Sequence, residues 1–156
     1  MYDAIIVGAR CAGSPVAMLL ARKGYRVLAV DKSAFPSDIM STHFIQPDGV
    51  AKLAEWGLLD AVLATNCPPI TKMTAHIGGM AMPAPPPPEG ALPAVCPRRT
   101  VLDKILVDAA RAAGAEVREG FSVQEVVIEA GRGTGVRGRN AGGVTVVERA
   151  KIVIGA

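Results

Sequence analysis

The chain has 156 residues, of which half are hydrophobic and a fifth are charged, so its composition indicates a globular domain with a substantial core. The 17 basic and 14 acidic residues leave a formal net charge of +3, too small and too scattered to favour nucleic acid or a membrane surface as a partner. Three widely separated cysteines give no sign of a disulfide framework or a metal site, and a cytoplasmic protein is expected. We expect neither a signal peptide nor a membrane-spanning segment.

The first 31 residues have the order strand, glycine turn, helix, strand and acid. Residues 4–7 form a short apolar run, typical of a strand that is buried on both faces of a parallel sheet. A turn with two glycines leads into a predicted helix over 16–23, and a second apolar run over 26–30 ends at Asp31. This βαβ arrangement predicts the binding of an adenine dinucleotide.

Each part of this unit has a predicted task. Gly8 permits the tight turn after the strand, and Gly13 lets the helix pack closely on the sheet. The backbone N–H groups of Ala12, Gly13 and Ser14 are expected to lack intrahelical partners and to face a pyrophosphate, together with the positive end of the helix dipole. The carboxylate of Asp31 is expected to accept hydrogen bonds from ribose hydroxyls.

The glycine turn departs from the G-x-G-x-x-G pattern at its middle position, where Arg10 replaces glycine. One interpretation is that the guanidinium of Arg10 binds the pyrophosphate, and the other is that Arg10 points into solvent. Cys11 follows at the start of the helix, where a thiolate would be favoured. It is interpreted as a small residue beside the cofactor, with redox sensitivity as the alternative.

The segment that follows is less regular. It is predicted to contain a loop over 32–42, a helix over 47–56 ended by Gly57, a short helical turn over 58–64, and a hairpin whose strands, 71–77 and 80–82, meet at two glycines. The proline run over 83–88 favours extended polyproline II. This run is interpreted as a loop between strands, and the alternative is a ligand for an SH3-type domain.

The last third of the chain returns to an α/β pattern. Thr100 is predicted to cap a helix over 101–113, with Asp103 completing a weak capping pair. The later elements are a third parallel strand over 116–118, an antiparallel meander over 121–129 and 144–148 with glycine-rich turns at 131–135 and 142–143, and a buried strand over 151–155. Because a buried strand ends beside the terminus, the chain is expected to be truncated.

These elements define an α/β fold class: a Rossmann-like FAD/NAD(P)-binding fold with a mostly parallel sheet in the order 3-2-1-4 and an antiparallel β-meander. The whole chain, 1–156, is interpreted as one dinucleotide-binding domain that lacks a substrate domain. In such folds the ligand binds at the carboxyl ends of the strands.

Four segments together carry a resemblance to a known family: residues 3–13, Asp31, 97–103 and 152–156. They resemble the FAD-binding N-terminal portion of p-hydroxybenzoate hydroxylase and geranylgeranyl reductase-type flavoprotein oxidoreductases, a superfamily that also includes flavin-dependent halogenases. The resemblance implies FAD as cofactor, NAD(P)H as reductant, and a small-molecule substrate that is oxygenated, halogenated or reduced. It identifies no catalytic residue in this chain.

The resemblance also implies a set of cofactor contacts. Beside Arg10, the implied cofactor-binding residues are Gly8, Ala12 and Gly13 at the pyrophosphate, Asp31 at the ribose, Lys32 near the adenine, Ser41 and Thr42 along the pyrophosphate and ribityl side, Arg99 at the phosphate or ribityl chain, and the backbone of Val123 at the adenine. His43 is interpreted either as a residue that approaches the flavin or as a solvated or hydrogen-bonded bystander.

Two other functions remain open from the sequence. The first is an NAD(P)-dependent dehydrogenase domain, which the long irregular segment over 35–98 disfavours. The second is a non-catalytic nucleotide-binding fragment that self-associates through exposed apolar surface, which would make the protein a homo-oligomer.

Overall fold

The computed structural model describes residues 1–85 and 88–156, which fold into two compact units. One unit contains Met1–Asp38 and Leu102–Ala156, and the other contains Ile39–Val101. In chain order the elements are β1 (Tyr2–Val7), α1 (Gly13–Arg22), β2 (Val27–Val30), α2 (Pro47–Glu55), α3 (Leu59–Leu63), β3 (Pro69–Ile70), β4 (Thr74–Ile77), β5 (Met80–Pro83), β6 (Ala94–Val95), α4 (Arg99–Ala112), β7 (Glu116–Arg118), β8 (Ser122–Glu129), β9 (Arg132–Arg139) and β10 (Thr145–Gly155).

The larger unit is built on a sheet of six strands in the order β7-β2-β1-β10-β9-β8. The first four strands run parallel to their neighbours, and β9 and β8 complete the sheet as an antiparallel meander. Numbered among themselves, the four parallel strands have the order 3-2-1-4. The predicted α/β class, its strand order and its meander are therefore confirmed.

The core of this sheet lies in β1 and β2, because both strands are apolar on both faces. Ile5, Ile6 and Leu28 are fully buried, and Met18 of α1 is fully buried as well. Removing a side chain of this size from water contributes about 1.5–3 kcal/mol. The two apolar runs that predicted these strands are thus also the residues that stabilise the sheet.

The last strand, β10, differs from the prediction because it is one continuous strand of 11 residues instead of two. Its first half pairs antiparallel with β9, and its second half pairs parallel with β1 from Ala150 onward. Arg149 and Lys151 interrupt the apolar pattern, but side chains alternate along a strand. Both are exposed, while Ala150 between them is buried. The polar interruption therefore does not end the strand.

The predicted glycine turn over 131–135 is also wrong in its extent. The turn lies at Ala130 and Gly131, and Gly135 and Gly138 belong to β9. A Cβ on Gly135 would lie 2.2 Å from a carbonyl oxygen of β10, and one on Gly138 would lie 2.5 Å from the ring of Phe121. These glycines permit close packing within the sheet and do not mark a turn. The turn predicted at 142–143 is confirmed.

The long helix α4 begins at Arg99, so Thr100 lies inside the helix and the predicted cap at Thr100 is wrong. The capping pair with Asp103 is also wrong, because the carboxylate of Asp103 is buried and hydrogen-bonded to Arg10. The contact that the structure shows for this carboxylate is therefore with the glycine turn and not with Thr100.

The smaller unit contains the predicted helix α2, which buries Val50 and Leu53, and the short helix α3. Strands β4 and β5 form the predicted hairpin, although β4 begins at Thr74 and not at residue 71. Pro83 is the last residue of β5, and the polyproline prediction for 83–88 includes Pro86 and Pro87, which lie outside the described residues. Among the helices that the structure describes, none has the length and apolarity needed to cross a membrane.

Candidate functional site

A cleft of about 320 Å³ opens in the larger unit where β1 and β2 end. Parallel strands that end together leave a crevice of this kind, because their following loops diverge. The cleft is lined by Val7, Gly8, Arg10, Val30, Asp31, Lys32, Phe121, Ser122, Val123 and Ala156. Five of the ten predicted cofactor-binding residues therefore line one cleft. Phe121, Ser122 and Ala156 were missed, because only the tertiary fold brings them there.

The glycine turn from β1 into α1 is as tight as predicted. Gly8 has φ +107°, and its N–H donates to the carbonyl of Val30 at 2.8 Å. A Cβ on Gly13 would lie 1.8 Å from the carbonyl oxygen of Gly8 and 3.1 Å from the side chain of Ile6. No other residue type fits this contact without moving the backbone. Gly13 thus allows the helix to start directly against the strand.

The amide groups at the start of α1 are only partly free. The N–H of Ser14 has no partner within α1, as predicted, but it donates to the carbonyl of Arg10 at 3.0 Å, before the helix, so it is not free to face a pyrophosphate. The N–H groups of Ala12 and Gly13 donate to no acceptor within residues 1–85 and 88–156. The helix has no side-chain cap and no acidic residue in its first turn. Its positive end is therefore not neutralised by the helix itself.

Asp31 is held at the end of β2 with only 7% of its surface exposed. Its carboxylate accepts the N–H of Ala9 at 2.9 Å and the N–H of Ser33 at 2.8 Å. A carboxylate has about four lone-pair sites, so these two bonds leave acceptor capacity toward the cleft. The charge also fixes the turn after β1, because hydrogen bonds to an ionised group are stronger than neutral ones.

Arg10 is turned into the protein, and the alternative that it points into solvent is wrong. Its Nη1 lies 2.6 Å from Oδ2 of Asp103, and its Nη2 donates to the hydroxyls of Ser33 at 3.1 Å and Ser37 at 2.9 Å. The guanidinium also lies 5.2 Å from the centre of the Phe35 ring. The side chain is 19% exposed and still reaches the cleft wall.

The other predicted residues divide between the two units. Ala12 and Gly13 lie in the glycine turn, and Lys32 and Val123 line the cleft. Ser41, Thr42 and Arg99 belong to the smaller unit. Arg99 is the first residue of α4.

His43 of the smaller unit has two unusual features. Its φ is +58°, a left-handed conformation that costs energy for a residue other than glycine. Its N–H donates to Oγ of Ser41 at 3.2 Å, and its ring Nε2 is buried without a hydrogen-bond partner in the described part of the chain. The interpretation of His43 as a solvated bystander therefore does not describe this nitrogen.

The parallel sheet, the glycine turn and the acid after β2 are the arrangement found in the class of dinucleotide-binding folds. Comparison with known proteins gives the particular family. The chain belongs to the FAD binding domain family, whose model matches residues 1–156. The resemblance inferred from the sequence is thereby confirmed.

Individual relatives agree with this assignment. Squalene epoxidase ERG1 of Saccharomyces cerevisiae is 32% identical over 111 residues, which are 69% of this chain and 22% of that protein. The structure of the myxobacterial chondrochloren halogenase CndH, described as a FAD-dependent halogenase, is 27% identical with a TM-score of 0.89, over 99% of this chain and 37% of that one.

A third relative shows the fold alone. It is a geranylgeranyl bacteriochlorophyll reductase-like protein from Thermoplasma acidophilum, with 24% identity and a TM-score of 0.82, over 99% of this chain and 38% of that one. The matched part covers 22% to 38% of these three proteins.

Proposed function

We propose that this chain holds FAD for a flavin-dependent oxidoreductase, with the adenosine diphosphate half of FAD in the cleft of the larger unit. The observation that carries the proposal is the glycine turn, where the N–H groups of Ala12 and Gly13 have no acceptor among the described residues at the uncapped end of α1. Such a helix start is an anion site, because its amides and its dipole both favour negative charge.

The cleft residues fit a dinucleotide. A pyrophosphate would lie against the amides of Ala12 and Gly13, where Gly8 carries no side chain. The exposed ammonium of Lys32 at the cleft wall adds positive charge. The remaining acceptor capacity of Asp31 suits ribose hydroxyls, and the backbone at Val123 is the proposed adenine contact. Each of these roles follows from the chemistry of the group at its position.

Four residues outside the cleft lining are proposed FAD contacts because the resemblance implies them. Ser41, Thr42 and Arg99 would bind the pyrophosphate and ribityl side, where hydroxyls and a guanidinium suit phosphate oxygens. His43 would bind the flavin, since a buried ring nitrogen without a partner is costly unless a ligand or water satisfies it. These four roles come from the resemblance, and the orphaned nitrogen is the structural support for His43.

Bound FAD would supply the redox chemistry, which is oxygenation, halogenation or double-bond reduction of a small molecule with NAD(P)H as the proposed reductant. The residues of this chain bind and orient the cofactor. The full activity is proposed for a protein in which this chain is the FAD-binding domain, because the chain covers 22% of its yeast relative. The cytoplasm stays the proposed compartment, and self-association stays a prediction that light scattering can test.

The proposal is tested by adding FAD to the purified protein, desalting it and recording the visible spectrum. We expect a retained flavin band and competition by ADP. Asp31→Ala should weaken FAD binding at least tenfold, which corresponds to about 1.4 kcal/mol, because it removes a charged acceptor from the cleft. The matched control is Glu125→Ala, which removes an exposed carboxylate of the same unit and should leave the affinity unchanged.

The outcomes separate the candidate functions. A protein that binds neither FAD nor ADP would contradict the proposal. Tighter binding of NAD than of FAD would favour the dehydrogenase alternative. An unchanged affinity after Asp31→Ala would remove Asp31 from the site while leaving the cofactor assignment intact.

A further inference from the structure

Asp103 is a buried carboxylate that neither the sequence motif nor the resemblance assigns to the cofactor site. It lies in α4 with none of its side chain exposed. Taking an ionised carboxylate out of water costs several kcal/mol unless the charge is paired and hydrogen-bonded. The partners of Asp103 therefore indicate what the position is used for.

Both oxygens of Asp103 are bound by the glycine turn. Oδ2 lies 2.6 Å from Nη1 of Arg10, and Oδ1 accepts the thiol of Cys11, with the sulfur at 3.3 Å. Arg10 and Cys11 are consecutive, and they directly precede Ala12 and Gly13, whose N–H groups have no acceptor among the described residues. One buried carboxylate thus holds the two residues that determine how these amides are oriented.

The guanidinium of Arg10 is occupied on its other side as well. Nη2 donates to the hydroxyls of Ser33 and Ser37, and the group lies over the ring of Phe35. Its charge is offset by Asp103 within hydrogen-bonding distance. An arginine held by a carboxylate, two hydroxyls and an aromatic ring has a structural role, and moving it toward a phosphate would break its ion pair with the buried carboxylate of Asp103.

We propose that Asp103 is a positioning residue for FAD: through Arg10 and Cys11 it fixes the glycine turn so that the amides of Ala12 and Gly13 face the pyrophosphate. The inference rests on the proposed function and assigns Arg10 a different role from direct pyrophosphate binding. The middle glycine of the motif is replaced here by Arg10, whose side chain is held in place by hydrogen bonds. A turn held in its bound conformation loses less entropy when the ligand arrives, and this raises affinity.

The test is Asp103→Asn, which keeps the shape of the side chain and removes its charge and one acceptor. FAD and ADP affinities are measured by calorimetry at a temperature where circular dichroism shows the variant to be folded. We expect both affinities to fall about tenfold. The matched control is Asp108→Asn, which changes an exposed carboxylate of the same helix and should leave both affinities unchanged.

A double variant separates positioning from general stability. If Asp103 acts through Arg10, then Asp103→Asn combined with Arg10→Met should bind FAD no more weakly than the weaker single variant. A purely structural role would lower the melting temperature and leave the FAD affinity of the folded protein unchanged. That result would overturn the inference.

Two further outcomes are decisive. Tighter FAD binding by Asp103→Asn would overturn the inference, because it would mean that a released Arg10 binds the pyrophosphate itself. If Asp103→Asn does not fold, Cys11→Ala removes the contact between the turn and Oδ1 of Asp103, and we expect two- to fivefold weaker binding, with an unchanged affinity overturning the inference. Wild-type protein that binds neither FAD nor ADP would overturn the proposed function too, whereas normal wild-type binding with an unaffected variant would overturn the inference alone.

Discussion

Arg10 and Arg118 of the larger unit are both held by carboxylates, but their surroundings differ. Arg10 pairs with a fully buried carboxylate and is attached to the glycine turn beside the cleft. Arg118 pairs with Glu116 and Glu148, and it donates to the hydroxyl of Tyr2 at 3.0 Å. The Glu116 carboxylate is 47% exposed, so this second network is partly solvated.

The difference concerns what each network holds in place. The Arg118 network joins strands β1, β7 and β10, so it acts on the sheet. Burial by itself would lower the pKa of Arg118, but the hydrogen bonds to Glu148 and Glu116 raise it above its ordinary value. The Arg10 network joins α4 to the turn that faces the cleft. We therefore expect changes at the turn to alter ligand binding, and changes around Arg118 to alter stability alone.

The largest effect is expected from Gly13→Ala, which breaks the turn itself. The new Cβ would lie 1.8 Å from the carbonyl oxygen of Gly8, so the backbone has to move. Overpacking of this kind costs about 1–3 kcal/mol and occasionally more, and here the moving groups are also the proposed pyrophosphate contacts. We expect FAD binding to be lost and the free energy of unfolding in urea to fall by about 3 kcal/mol.

The control for this prediction is Gly24→Ala. A Cβ on Gly24 would meet nothing within 4 Å, although its φ of +84° makes alanine unfavourable. The cost should be about 1–2 kcal/mol from the left-handed conformation, with FAD affinity unchanged. Equal loss of FAD affinity in both variants would mean that general destabilisation and not the turn explains the effect.

The parts of the fold that could be predicted are those encoded by short-range patterns. The strands β1 and β2 are buried apolar runs, the helix α1 is ended by Gly24, and Gly8 and Asp31 have fixed positions in a βαβ unit. The prediction failed where the role of a residue depends on its position in the folded sheet and not on its neighbours in the sequence. Glycines in β9 were taken for a turn, since a glycine that permits close strand packing has the same sequence signal as one that permits a turn.

The candidate site shows the same limit. The motif located Gly8, Arg10 and Asp31, which line the cleft together. It could not locate Asp103, which is separated from Arg10 by 93 positions in the sequence. A single acidic residue in a helix carries no signal of a partner so far away, and its local pattern favoured a capping role. Burial of the carboxylate is what reveals the contact.

A smaller effect is expected from Tyr2→Phe, which tests whether changes in the Arg118 network alter stability without altering FAD binding. The hydroxyl of Tyr2 donates to Glu116 at 2.5 Å, and the ring is almost fully buried. Phenylalanine keeps the ring and removes both this bond and the one that Arg118 donates to the hydroxyl; because both partners also contact each other and are partly solvated, the free energy of unfolding should fall by about 1 kcal/mol. Calorimetry should give the wild-type FAD affinity. A weakened affinity would show that the two networks are coupled through the sheet and would contradict the separation.

The smallest effect is the acid dependence of the same network. Burial by itself would raise the pKa of Glu116, but hydrogen bonds from Tyr2 and Arg118 lower it below the ordinary 4.5 of a glutamate. The stability that this provides is present above pH 4.5 and is lost as the pH falls through the lowered pKa. We expect Tyr2→Phe to lose less stability than wild type between pH 5 and about pH 3, because its Glu116 keeps a less depressed pKa.

The difference should be a fraction of a kcal/mol, roughly 0.2–0.5, because Glu116 is partly exposed and solvent screens its interactions. Urea unfolding of both proteins at the two pH values measures it, and Glu125→Gln serves as a control whose carboxylate has no contact with Tyr2. Burial first, and the hydrogen bond to Glu116 second, raise the pKa of Tyr2 above its ordinary 10.0. The stability that this bond provides is therefore present below pH 10 and is lost as the pH rises through the raised pKa. If the free energy of unfolding falls equally in the two proteins between pH 5 and about pH 3, the hydroxyl of Tyr2 does not lower the pKa of Glu116. Arg118 would then be the group that lowers it, and the hydroxyl would contribute a hydrogen bond without pH dependence.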